Sequence, residues 1–266
     1  MKISDIPFAL RHSLATRGVT RSVGVVRRKA MSRLLRTSAP AKQIVPSHPF
    51  DAEFRTDTGG MIYAQELRDG SGRTSIYNTA YYGTPPSMFL QALARLEIDF
   101  AEFTFIDLGA GKGRVLLLAS DFPFRQVIGV EFAKDLAAVA NRNISLYHPD
   151  IRRCENVRCI LGDASEFAFP PRPLVIFMWH PFVGLVFDRM IANLEHSLRR
   201  DPREVYLLYL NPDCAQRLDN CSQLHKFCEC TLEMTEQDFA FYEVGGRTET
   251  CAAYRSSAPA SVAGIA

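Results

Sequence analysis

From Phe103 onward the chain alternates short apolar runs with amphipathic stretches. Residues 103–108, 126–132, 157–161, 174–179 and 204–210 are runs rich in Val, Ile, Leu and Phe, each followed by glycine, proline or polar residues. Runs of that length with such endings read as buried strands. Between them, residues 114–122, 133–146 and 185–198 place apolar side chains at helical spacing. Buried strands alternating with helices predict a parallel sheet covered on both faces. Two late β-like runs, 239–244 and 250–254, predict a hairpin that closes the sheet edge. The fold class expected is α/β: a Rossmann-like, doubly wound, mostly parallel sheet with an antiparallel edge hairpin.

Ahead of this pattern, residues 51–100 carry the turns Asp57-Thr58-Gly59-Gly60 and Asp69-Gly70-Ser71-Gly72. They run through Tyr81-Tyr82-Gly83-Thr84-Pro85-Pro86 into a helix expected over 87–96, with Ser87 as N-cap. The organisation expected is a basic arm and linker over 1–50, a lead-in segment over 51–100, the main domain over 101–255 and an unordered tail over 256–266.

Composition fits a globular chain: 266 residues, 47% hydrophobic and 23% charged, which excludes collagen-like, wholly disordered and disulfide-dense classes. No apolar run approaches the ~18 residues that cross a bilayer, and arginines interrupt any secretory leader near the start. Charge is uneven. Residues 1–45 hold ten of the 31 lysines and arginines but one of the 29 acids, so the arm carries +9 and the remainder −7. The arm suits a solubilising extension or contact with an acidic partner, a membrane surface or a nucleic acid. Its make-up also suits an organelle transit peptide. Seven cysteines without a C-x-x-C pair point to reduced thiols and a cytoplasmic setting. The spacings in Cys214, Cys221, His225, Cys228 and Cys230 match no zinc pattern, so no metal is expected.

In a doubly wound sheet, ligands bind at the carboxyl ends of the strands, so the residues there carry the chemistry. After the first strand stands Asp107-Leu108-Gly109-Ala110-Gly111-Lys112-Gly113-Arg114. Glycines allow a tight turn and close approach to a ligand. The loop is neither the dinucleotide G-x-G-x-x-G nor the P-loop. Asp107 would repel a diphosphate and attract a ligand bearing a sulfonium or ammonium. Glu131 ends the second strand, 18 residues beyond Gly113, where an acid accepts from ribose hydroxyls. Gly162-Asp163-Ala164 ends the third strand, where an acid can accept from an adenine amine.

Together, Asp107 to Gly113, Glu131 and Gly162-Asp163-Ala164 resemble the class I S-adenosylmethionine-dependent methyltransferases over roughly residues 80–255. The resemblance implies S-adenosyl-L-methionine as cofactor. It places Asp107, Leu108, Gly109, Ala110, Gly111 and Gly113 at the methionine part, Glu131 and Phe132 at the ribose, and Asp163 and Ala164 at the adenine. Tyr82 and Thr84, in the lead-in segment, are similar to a turn of some non-SET protein lysine methyltransferases that covers the cofactor. Trp179 completes the cofactor-binding set.

Trp179-His180-Pro181-Phe182 follows the fourth strand. Amine-modifying members of the superfamily have Asn or Asp there, then two prolines; the single proline here speaks against a nucleobase target. His180 is the candidate catalytic residue, able to accept a proton from the acceptor, or a structural histidine at a strand end. Tyr82, Trp179 and Phe182 are expected to form an aromatic channel, with Asn211 on the same edge. The reaction implied is direct displacement of the methyl group onto a nucleophile, a protein lysine or a small molecule. The alternatives are a nucleotide-dependent oxidoreductase, which Asp107 opposes, and a non-catalytic binding module.

Overall fold

A computed structural model of the chain describes residues 48–148, 150–242 and 246–256. The chain divides at Val45/Pro46. The basic arm through residue 47 and the tail beyond Ser256 lie outside the described residues.

Nine strands and seven α-helices are described. They are α1 (Pro49–Phe54), β1 (Met61–Ile62), β2 (Tyr81–Tyr82), α2 (Pro86–Leu93), β3 (Thr104–Leu108), α3 (Arg114–Ser120), β4 (Gln126–Glu131) and α4 (Lys134–Leu146). There follow β5 (Val157–Leu161), β6 (Leu174–Trp179), α5 (Leu185–Arg200), β7 (Val205–Leu210), α6 (Ala215–Asp219), β8 (Leu224–Glu233), α7 (Glu236–Ala240) and β9 (Thr248–Ser256). β1 and β2 form a small antiparallel ribbon. The other seven form one sheet in the order β5-β4-β3-β6-β7-β9-β8. The first five are parallel, and β9 runs antiparallel between β7 and β8. This is the α/β Rossmann-like fold expected.

The pleat sorts the core. Phe105, Val127, Val175, Phe177, Leu208 and Leu210 pack on one face, with α2, α3 and α4. Ile106, Val130, Ile176, Met178, Leu207 and Tyr209 pack on the other, with α5 and α6. Both faces are covered, so the central strands carry apolar residues without a polar alternate.

Three sequence expectations change. Residues 239–242 do not form a strand, and 243–244 lie outside the described residues: Glu236–Ala240 is helical, capped by the Thr235 hydroxyl accepting from the Asp238 N–H at 3.2 Å. The edge strand is instead β8, whose alternating polar residues face water, so it lacks the apolar run of a buried strand. Ser87 does not cap α2. Pro85 holds that position, Pro86 opens the helix, and the Ser87 side chain turns to Asp238.

Candidate active site

Register fixes where the acids lie. Asp107 on β3 stands opposite Gly129 on β4 and Phe177 on β6. Glu131 and Trp179 lie two residues farther along those strands, so Asp107, Glu131 and Trp179 share one face at the carboxyl edge of the sheet. Asp107 is only 4% exposed. Burial, then the charge of Glu131, pushes its carboxyl well above the usual range. Among the described residues it has no hydrogen bond or ion pair. A buried carboxylate without a partner is costly, and this one is suited to a cation arriving from outside the chain.

Glu131 is equally buried but satisfied. Its Oε2 accepts the Gly111 N–H at 2.7 Å and its Oε1 the Ala133 N–H at 2.7 Å. Burial raises its pKa while these backbone donors lower it, and burial wins. Each oxygen keeps a second lone pair for a hydroxyl. Glu131 thus ties the glycine loop to the start of α4 while remaining able to hold a ribose.

The loop has little freedom. Gly109, Gly111 and Gly113 have φ of 82°, 55° and 85°, the left-handed region that favours glycine. A Cβ on Gly109 would fall 2.2 Å from Pro181, and one on Gly111 would fall 2.1 Å from the Tyr81 ring. Leu108 and Ala110 are buried beneath. The Gly109 and Ala110 N–H groups donate to the Val130 carbonyl at 2.9 and 3.2 Å.

The lead-in segment holds this loop from outside. Buried Arg114 donates from Nε to the Thr58 hydroxyl at 2.7 Å and from Nη1 to the Gly83 and Thr84 carbonyls at 3.3 and 3.4 Å. Its Nη2 lies 3.5 Å from Asp51 Oδ2, with both side chains buried. Asp51 Oδ1 accepts from the Thr58 N–H at 2.8 Å and hydroxyl at 2.6 Å. Lys112 pairs with Asp57 at 2.7 Å, and Asn143 bonds both Asp57 and Lys112 carbonyls. Thr84 is therefore buried at the Arg114 clamp.

Farther along the edge, Asp163 accepts the Ser165 N–H at 2.8 Å and caps a short 3-10 turn, with Ala164 buried behind it. Phe132 is half-buried beside Glu131. A strap crosses this edge. The Arg68 carbonyl accepts from Lys134, Gly70 approaches Leu161, and Tyr77, Asn78 and Thr79 pair with Val183, Phe182 and Pro181.

His180 is turned inward. It is 6% exposed with φ 41°, its Nδ1 lies 2.8 Å from the Tyr209 hydroxyl, and its Nε2 lies 3.6 Å from Asp213. The ring stacks on Tyr209. Both ring nitrogens lie against side chains of the chain itself. The aromatic wall also differs from the expected one. Trp179 stacks on Tyr242 at 5.5 Å and 20°, and Tyr242 meets Tyr82 at 6.1 Å. Phe182 is absent from it, because Phe182 packs on Phe187 on the opposite face. Asn211, at φ 49°, bonds the Thr250 carbonyl and ends β7.

Sequence reasoning passed over Arg114, Asp51, Thr58, Tyr81 and Tyr242. Only Arg114 carried a signal, as a cation directly after the glycine loop. The others act on partners 23 or more residues away in the chain, where no spacing rule connects them.

Residues 101–175 match the model of a family described as "Putative methyltransferase". No curated protein matches the chain. Among solved structures it is similar to TrmN from Thermus thermophilus at 15% identity, covering 65% of this chain and 49% of that one, with a TM-score of 0.48. The chain therefore spans about half the length of that relative. It is also similar to precorrin-6y C5,15-methyltransferase from Geobacter metallireducens at 15% identity, 64% and 87% coverage and a TM-score of 0.46. A "putative RNA methyltransferase" from Pyrococcus horikoshii matches at 19% identity, 74% and 95% coverage and a TM-score of 0.47. The family match contains Asp107, the glycine loop and Glu131. That segment is similar to the family of putative methyltransferases, and it holds the strand ends at which the sequence places the cofactor.

Proposed function

We propose that the chain is an S-adenosyl-L-methionine-dependent methyltransferase that transfers its methyl group to an amine, with a protein lysine as the leading acceptor. The observation that carries the reading is Asp107: a buried acid without a partner among the described residues, at the strand end where a cationic cofactor suits it. When bound, the cofactor supplies a methyl group activated on a sulfonium for direct displacement.

The chain's own residues would then do the following. Asp107 holds the cationic methionine end, Glu131 the ribose and Asp163 the adenine edge. The bends at Gly109 and Gly111 let the backbone approach closely. Tyr82, Tyr242 and Trp179 form a low-dielectric wall that favours the neutral form of an approaching amine. An unperturbed lysine amine titrates near 10.4, so lowering that value is what the wall contributes. Holding donor and acceptor in line is worth about 7–11 kcal/mol in the best intramolecular cases. His180 positions the loop after β6.

The strap over residues 68–79 supports a second reading. It is fastened to Lys134 at the start of α4 and to Pro181 and Val183 after β6, along the edge that carries the site, and a covered edge suits a small-molecule amine. For the basic arm we propose contact with an acidic partner. The odd number of thiols supports a cytoplasmic setting; no helix among the described residues is long and apolar enough to cross a membrane.

The experiment is transfer of labelled methyl from the cofactor into a lysate, separated into protein, nucleic acid and metabolite. Label in protein, lost on Asp107→Ala, is the expected result. Label in the metabolite fraction alone would select the small-molecule reading, and label in nucleic acid would overturn the amine-wall argument.

A further inference from the structure

We propose that Asp238 is a positioning residue: through His48 and Ser87 it fixes Tyr242 against Trp179 and so sets the acceptor wall. The proposal rests on the reading above that this wall faces the acceptor.

Tyr242 stands two residues beyond α7, a helix of five residues, too short to persist alone. One buried carboxylate holds that helix in place. Asp238 Oδ1 lies 3.2 Å from His48 Nε2. Oδ2 accepts the Ser87 N–H at 2.9 Å and the Ser87 hydroxyl. Ser87 Oγ in turn accepts the Thr235 N–H at 3.3 Å, and Thr235 caps α7. The His48 tautomer follows from its neighbours. Nδ1 accepts the Phe50 N–H at 3.1 Å, so a neutral ring carries its proton on Nε2 and donates it to Asp238. The same ring meets Phe241 edge-on at 5.5 Å. The N–H groups of Phe241 and Tyr242 then close onto the Asp238 and Phe239 carbonyls at 3.2 and 3.1 Å.

Three elements distant in sequence therefore meet on one side chain: the start of α1, the start of α2 and α7. Burial raises the Asp238 pKa, but hydrogen bonds from His48 and Ser87 outweigh it and hold the carboxyl below its ordinary value. Without that carboxylate, the buried His48 and half-buried Ser87 would lose the acceptor of their donors, which costs free energy. The short helix would detach, and the stack of Tyr242 on Trp179 would go with it.

Trp179 is the sole tryptophan, so its emission reads the stack directly. The test uses the full chain and compares wild type with Asp238→Ala, Tyr242→Ala, Ser87→Ala and Ser87→Thr. Acrylamide quenching of Trp179 and titration with S-adenosylhomocysteine are measured on each. Asp238→Ala is expected to raise quenching about twofold, matching Tyr242→Ala. Its affinity for S-adenosylhomocysteine should stay within about twofold of wild type, because the cofactor loop has its own clamp. Ser87→Thr, which retains the hydroxyl, should behave as wild type. Unchanged quenching in Asp238→Ala, with raised quenching in Tyr242→Ala, would overturn the proposal. If Asp238→Ala loses its circular dichroism, Ser87→Ala decides by the same criterion. Failure of wild type to bind S-adenosylhomocysteine would contradict the methyltransferase reading and leave the quenching comparison standing.

Discussion

The ring of Tyr81 rests on Gly111, so close that a Cβ there would lie 2.1 Å from it. Its hydroxyl donates to the Thr58 carbonyl at 2.7 Å. The glycine loop is thus shaped as much by the segment before the sheet as by its own residues.

Gly111→Val should expel Tyr81 and force a branched side chain into a left-handed bend, a strain of about 1–3 kcal/mol before any clash. S-adenosylhomocysteine affinity should fall by at least about 100-fold by isothermal titration. Tyr81→Ala should weaken binding less, because the bend itself survives. Wild-type affinity in Gly111→Val would remove the loop from the site.

Asp107→Asn should separate stability from binding. A carboxyl raised in the folded state keeps a proton that the unfolded chain releases near pH 4, so its ionisation costs stability as pH rises from about 4 through the raised value. The amide removes that cost. At pH 7 the variant should melt about 2–4 °C higher than wild type while losing cofactor affinity. A lower melting point would contradict the assigned burial.

The same acid sets a pH dependence. The α-ammonium of S-adenosylhomocysteine selects the carboxylate, so binding releases a proton. Affinity for S-adenosylhomocysteine should therefore rise with pH until free Asp107 is ionised and then level off. Titrations in buffers of different ionisation enthalpy measure the proton released. A profile flat from pH 5 to 9 in wild type and Asp107→Asn alike would remove Asp107 from the linkage.

Arg114→Lys should fail to replace the clamp. Lysine cannot span Thr58, Gly83, Thr84 and Asp51 at once. Breaking a buried pair costs about 3–5 kcal/mol, so denaturant unfolding should show a loss in that range for Asp51→Asn or Arg114→Lys. A loss under about 0.5 kcal/mol would mean that solvent reaches the pair.

His180→Ala should leave the Tyr209 hydroxyl without its 2.8 Å partner, a loss of about 1–3 kcal/mol. His180→Asn, which tolerates a left-handed φ, should recover part of it. Labelled-methyl transfer should fall no more than folded protein does. Transfer abolished in a fully folded variant would return His180 to the chemistry.

The parallel strands were legible because each is a short apolar run ended by a turn, and Leu174–Trp179 has the bounds that its pattern predicts. The places of Asp107 and Glu131 at neighbouring strand ends were legible because a strand end is a place that a pattern can locate. β8 was not, since an edge strand with one wet face, Leu224–Glu233, reads as polar chain. The role of Phe182 depended on which face of the sheet its loop turns to, and that is set by packing on Phe187. The clamp on Arg114 and the latch on Asp238 join residues far apart in sequence, and only the folded chain brings them together.

The central claim is that Asp107, without a partner among the described residues and beside a tight glycine bend, selects a cationic cofactor over an anionic dinucleotide. Isothermal titration of wild type and Asp107→Asn with S-adenosylhomocysteine and with NAD tests it most directly. The account predicts binding of S-adenosylhomocysteine by wild type alone, with no NAD binding by either protein. NAD binding by wild type that S-adenosylhomocysteine displaces by competition at the same site would contradict it.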